Sequence, residues 1–436
     1  MLDKINGDSG HSRRNKRDDR HGRLDRRVSG HARRNRRDDR HGRPRVCVGI
    51  EFSGVDGTFL KHVHLDKACL LLLVTRDGNN KLVVIAWCYC LRETSANYEY
   101  MAEHVQTMGH ASEYMNRVTH LMYSDRAKGI KHFEKHFKCG HANCIVHVIK
   151  NVRNHCKNKP GARTNFHEDQ IHQIQQAPTR EEFEEKFRLF AAGYPDAAEY
   201  LYNLDHEKVF SYAIVKSGYA THGHRTSNLV EIMNNVLKEA RNLDCYRICD
   251  WIVTWWGKKV AERQDVCNGA TERILYTPYA STLLNKQEEF AREGTMTIAR
   301  QGNGTYLITE TFKDANAKNR RHGKDGPATR VERHTVDMRN KTCTCEFLRE
   351  HRIPCKHVVL VADKEGLRTT TQGLYQFRQD WVAPYFWIEN YRKGYQNVVV
   401  HAPDLDNNIY VDVPKGSRGH NILVDEIENK MCGWTR

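Results

Sequence analysis

Three cysteines and a histidine fall within fifteen residues near the end of this 436-residue chain: Cys343-Thr-Cys345, a nine-residue spacer, then Cys355-Lys-His357. Three thiolates and one imidazole fill a tetrahedral zinc shell and leave no position for water, so these residues predict a closed, structural site. Cys343 and Cys345 lie two apart, which on an extended strand points both side chains to one face. Pro354 favours a turn into the second ligand pair, and Val358-Val-Leu360 begins an apolar helix. Reading the four as unrelated buried residues leaves this specific spacing without an explanation.

At 436 residues, two or three folded units are expected, and an apolar fraction of 39% is enough to give each a core. The chain opens with no charged segment followed by an apolar one, so no secretory leader is read there. Its apolar runs, such as Cys69 to Val74, fall far short of the roughly 20 residues needed to cross a bilayer. Fourteen cysteines in such a chain read as reduced thiols and metal ligands, which points to cytosol or nucleus.

Formal net charge is +15, but residues Met1 to Arg45 alone hold 16 Lys and Arg against 7 Asp. The rest is mildly basic and compatible with a polyanionic partner. In that tail, the segment Ser9 to Arg23 returns almost unchanged as Ser29 to Arg43, with hardly an apolar residue in either copy. Such a segment cannot offset its ordering entropy and is expected to be disordered. Two readings stay open for it, a nuclear-import or phosphate-contacting arm and a solvated expansion with no specific partner.

Order is expected from Val46. Val46, Val48, Ile50 and Phe52 alternate, and Cys69–Thr75 and Lys81–Leu91 form a hairpin around the turn residues Arg76-Asp-Gly-Asn-Asn80. Tyr98 to Val105 reads as a helix, His120 to Asp125 as a strand, Ala127 to Phe137 as a helix and Asn143 to Ile149 as a further buried strand. This pattern describes an α/β unit with a mixed sheet. From Glu168 to Ser217 it turns helical and aromatic, with Phe183, Phe187 and Phe190 on one face. Leu229, Ile232, Met233, Val236 and Leu237 mark a later helix, and Trp251, Trp255 and Trp256 the next, where they read as core packing. Lys313 to Arg333 reads as a loop or linker.

The cysteine cluster, with the preceding Val331–Asp337 strand and Ile353-Pro-Cys-Lys-His357, resembles the SWIM zinc finger. That finger occurs in transposases, helicase-associated proteins and ubiquitin-pathway adaptors, so alone it does not define a function.

Three carboxylates narrow the choice. Asp56-Gly is by itself a turn signal, Asp125 ends an apolar strand where open α/β sheets place ligand sites, and Glu231 sits three residues after Asn228, as a capping-box partner would. The order Asp56-Gly-Thr-Phe-Leu-Lys, hairpin, Ser124-Asp125-Arg-Ala-Lys-Gly, Cys144-Ile-Val-His147, Thr226-Ser-Asn-Leu-Val-Glu231 and finger is similar to that of Mutator-like element (MULE) transposases, over about Val46 to Tyr395. The resemblance implies an RNase H-like core with a helical insertion, followed by a small zinc-stabilised α+β SWIM module. It places Asp56, Asp125 and Glu231 on the family's acidic triad, holding Mg²⁺ or Mn²⁺ for DNA strand cleavage and transfer. Cys144 and His147 fall on its CxxH motif as supporting residues, although as strand residues they read equally as buried packing. Nearby Cys139 and His141 leave a second zinc reading open. Where relatives carry an N-terminal zinc-dependent DNA-binding domain, this chain has the Arg-rich repeat.

The expected division is a tail over 1–45, core over 46–165, helical insertion over 166–225, the end of the core with its helices over 226–300, finger region over 301–366 and C-terminal extension over 367–436. The implied partners are DNA and a second copy of the chain, with no membrane and no small-molecule substrate, and the implied compartment is the nucleus. Two functions follow: a DDE transposase or truncated copy of one, or a transposase-derived DNA-binding transcription regulator without catalysis.

Overall fold

Leu70, Leu72 and Val74 point to one face of a strand while Cys69, Leu71 and Leu73 point to the other, and all six are buried. A strand apolar on both faces needs a layer on each side. In the computed structural model, which describes residues 49–61, 68–126, 129–224, 228–271, 273–313 and 329–400, helices supply both layers.

The sheet is built from β1 (Gly49–Phe59), β2 (Cys69–Asp77), β3 (Leu82–Cys90), β4 (Leu121–Ser124) and β5 (Gly140–Asn143), in the order β3-β2-β1-β4-β5. β1, β2 and β3 pair antiparallel with one another; β4 runs parallel to β1, and β5 parallel to β4. This is the mixed α/β sheet expected. The hairpin between β2 and β3 closes through Asn80 N–H donating to Asp77 O, with Asn80 left-handed at φ 58°. One face is covered by α1 (Ser95–Thr107), α2 (Gly109–Met115) and α3 (Ile130–Glu134).

The stretch expected as a strand over Asn143–Ile149 is instead the end of β5 followed by α4 (Ile145–Lys157). Its β-branched residues favour a strand locally. Ile145, Val148, Ile149, Val152 and Cys156, however, are all buried, and their spacing continues at helical period past the expected end. That stripe packs against α5 (Glu168–Gln175), α6 (Arg180–Gly193), α7 (Pro195–Tyr202) and α8 (Ser211–Lys216) around Phe166, Phe183, Phe190 and Phe210. The helices from α4 to α8 thus share a core of their own.

The second face of the sheet meets α9 (Asn228–Val236), α10 (Cys245–Gly269) and α11 (Pro278–Arg292). Leu229 and Val230 lie over Gly54, where a β-carbon would approach Val230 to 3.3 Å. Trp251 and Trp255 pack against this core, as expected.

A second sheet, β6 (Met296–Gly302), β7 (Thr305–Lys313), β8 (Thr329–Asp337) and β9 (Thr342–Cys343), is antiparallel throughout. Its long β7–β8 pair replaces the start and end of the linker expected over Lys313–Arg333; residues 314–328 lie outside the described residues. After it come α12 (Phe347–His351), α13 (Lys356–Lys364), α14 (Thr371–Trp381) and α15 (Ile388–Tyr395). Ile353 and Val359 share the main core with Ile50 and Leu72, so the segment carrying the cysteines is packed onto the first sheet's helical face. Residues 1–48, including the basic repeat, lie outside the described residues.

Candidate metal centres

Cys343 ends β9 opposite Val336 of β8. The turn before it is held by Asp337, whose carboxylate accepts from the backbone N–H groups of Arg339 and Asn340, bonds that lower its pKa. The spacer then folds as the single turn α12, bracketed by left-handed Glu346 at φ 61° and Arg352 at φ 56°. Non-glycine residues in this region carry a conformational cost. Here they reverse the chain twice and return Cys355 to Cys343.

Cys355 caps α13 with extended backbone, and His357 lies on its first turn. Cys343, Cys355 and His357 are buried and Cys345 half-buried, and one ligand atom from each of the four lies within 4.8 Å of the others. Cys345 lies just beyond the strand, so the turn, rather than strand alternation, aims its sulphur. Cys343 Sγ and His357 Nδ1 are 3.6 Å apart, which matches the edge of about 3.6 Å between sulphur and nitrogen around a tetrahedral zinc. Hydrogen bonds from Cys345 and Cys355 pull the Cys343 thiol down to about 4, while burial pushes Cys355 well up. Protons must therefore be shared among the sulphurs, and a divalent soft cation is what allows three thiolates to coexist. The donor set fits zinc.

The carboxylates form a second region. β1 and β4 are parallel with Gly54 opposite Tyr123, so Asp56 and Asp125 lie at matching positions two residues beyond this last pair, Asp125 just after β4 and Asp56 still within β1 opposite Leu72 rather than in a turn. Asp56 accepts from Gly57 N–H at 2.8 Å. Burial, followed by the charges of Asp125 and Glu93, raises its pKa from 3.8 to about 6. Glu93 carries no role in the sequence reading, yet its carboxylate lies 3.1 Å from where a Gly57 β-carbon would stand, and it accepts from Tyr98 Oη at 2.8 Å. Its one sequence signal is a carboxylate just after an apolar strand.

Cys144 caps α4 and His147 follows one turn later. Their hydrogen bond, and after it the charges of Asp56 and Asp125, raise His147 to about 9, which favours the protonated imidazole near the two carboxylates. The helix, not a strand, brings this pair together. Glu231 is on the first turn of α9, directly after the Val230 that covers Gly54. Its capping-box reading rests on an Asn228 side chain outside the described residues. Among the described residues, Asp56, Asp125 and Glu231 do not bring ligand atoms within 4.8 Å of one another. Cys139 and His141 join no metal-ligand group either; His141 pairs with Glu134, and burial raises Cys139 to about 12.

A SWIM zinc finger family model matches residues 334–365, enclosing all four zinc ligands. A search of curated proteins finds no match to the chain. The C-terminal cluster is thus a zinc-binding SWIM module.

Proposed function

We propose that the chain is a Mutator-like element transposase, or a truncated descendant of one, acting on DNA in the nucleus with a second copy of itself. The observation that carries this reading is the matching placement of Asp56 and Asp125, each two residues beyond the last pair of the parallel strands β1 and β4, with α9 beginning beside them. Three antiparallel strands followed by two parallel ones, a helical insertion and then the helix of Glu231 support an RNase H-like core. The SWIM module at the C-terminal side agrees with it.

Asp56, Asp125 and Glu231 would hold Mg²⁺ or Mn²⁺, and the raised pKa of Asp56 marks a place where repelling carboxylates gain from a cation. Bound there, such ions activate an oxygen nucleophile and stabilise the leaving oxygen of a phosphodiester. His147 balances charge beside the carboxylates when no cation is held. α4 begins here, its sequence free of Asp and Glu, with Lys150 and Lys157 exposed. It offers phosphates a track toward the carboxylates.

The test is strand cleavage of DNA carrying the element's ends with Mn²⁺, comparing wild type with Asp125→Asn. Loss of cleavage with retained binding is expected; equal activity in both would remove the DDE assignment. The second reading, a DNA-binding regulator without catalysis, is favoured by the fact that Asp56, Asp125 and Glu231 do not form one metal-ligand group among the described residues. It predicts binding by both proteins and cleavage by neither.

A further inference from the structure

His357 has two ring nitrogens and only one can complete the zinc shell. Nδ1 is the one beside Cys343 Sγ. Nε2 instead points at Glu310 Oε2, 3.3 Å away, in a pair whose side chains are almost wholly buried. An ionised carboxylate only accepts, so this contact requires Nε2 to carry the hydrogen and leaves the Nδ1 lone pair for a metal. We infer that Glu310 is a positioning residue of the zinc site: it fixes the tautomer and the ring orientation of His357 from outside the matched finger.

The surroundings hold Glu310 to that task. It lies in an inner strand of its sheet, paired across to Met296 on one side and Glu332 on the other, so its backbone is fixed from both sides. Its second oxygen takes the Lys356 ammonium, which offsets the cost of burying the charge. Lys356 N–H, an otherwise orphaned donor at the start of α13, goes to Gln287 Oε1 of α11 at 3.0 Å. The imidazole of His334 lies against that of His357, ring centres 4.3 Å apart. Thus the helix start that presents Cys355 and His357 is held by α11 and β7, neither of which belongs to residues 334–365.

Glu310, His334 and His357 also lie close enough together to offer one further ion three donors. The Lys356 ammonium on Glu310 opposes a second cation there, and His357 could serve both sites only as a doubly deprotonated bridge. A single zinc, with Glu310 behind its histidine, is what the contacts favour.

The inference is tested on the full chain. In ¹⁵N-histidine-labelled, zinc-loaded wild type, the His357 ring shifts should report a metal-bound Nδ1 and a protonated Nε2. Chelator competition should show one zinc per chain, bound about 10- to 100-fold more weakly in Glu310→Gln. The Co²⁺-loaded variant should keep the absorption of a three-sulphur, one-nitrogen tetrahedron. A metal-bound Nε2, zinc affinity unchanged within twofold, or two metal ions per chain with one lost in Glu310→Gln would each overturn it. The first readout needs no variant, so it stands even if the substitution disturbs folding.

Discussion

Asp56 shows most directly how the carboxylate region is at odds with itself. Its carboxyl is raised from 3.8 to about 6 by burial and by neighbouring negative charge. With the folded value above the unfolded one, the group is harmless below pH 4, where both states are protonated. As pH rises through about 6 the folded state must hold a charge it disfavours, and stability is lost across that window. The difference corresponds to at most about 3 kcal/mol. Asp56→Asn should therefore raise the melting temperature above pH 6, without added Mg²⁺ or Mn²⁺, and give no gain at pH 4. A gain that does not vary with pH would show that charge is not its cause. Asp125 stands out in the sequence because it follows an apolar strand, whereas Asp56 reads there as a turn residue and lies instead within β1 opposite Leu72. Glu93 and Glu310 do not stand out: Glu310 is 47 residues from the histidine it meets, with no spacing rule joining them.

At the scale of elements, α4 shows why a local signal misleads. The run Cys144-Ile-Val-His-Val-Ile is as good a strand as any in the chain, and only the buried positions Val152 and Cys156 disclose the helical period. Period, not propensity, was the decisive signal, and it became legible only over the whole thirteen-residue helix. The change has a functional consequence, because a helix exposes a face that a buried strand would not. Lys150 and Lys157 have no ion-pair partner among the described residues, whereas Arg153 pairs with Glu168. If the chain binds DNA as proposed, replacing both lysines by glutamate should leave the fold intact and weaken that binding. The slope of log affinity against log salt should become shallower by about 1 to 2. Titrations at several salt concentrations would measure this, and an unchanged slope would place DNA elsewhere.

Across the whole molecule, parts far apart in sequence meet at one buried charge. Asp77 reads in the sequence as turn chemistry, and it does hold its turn, accepting from the N–H groups of Asn79 and Lys81. Fully buried, it also accepts from Arg263 Nε at 2.8 Å and from the hydroxyls of Tyr391 and Tyr395 at 3.2 and 3.1 Å. Next to it, Gly78 passes so close to Tyr385 O that a β-carbon would stand 1.7 Å away. The β2–β3 hairpin, α10 and α15 are thereby fastened together, which ties the segment after the zinc module to the first sheet. None of this is visible in a local pattern, since the tyrosines lie more than 300 residues from Asp77.

Removing Asp77 leaves the Arg263 guanidinium buried without its counter-charge, so Asp77→Ala should cost about 3–5 kcal/mol. Removing both charges, as in Asp77→Ala with Arg263→Met, should recover much of that loss, because the unpaired charge rather than the missing bond is the larger penalty. Denaturant unfolding of the zinc-loaded protein, followed by tryptophan fluorescence, reads both values, since Trp256 lies against Arg263. A loss below 1 kcal/mol in the single variant would mean that the anchor is incidental. A double variant as unstable as the single one would assign the stability to the carboxylate's turn-holding bonds, and the arginine would then be a passenger.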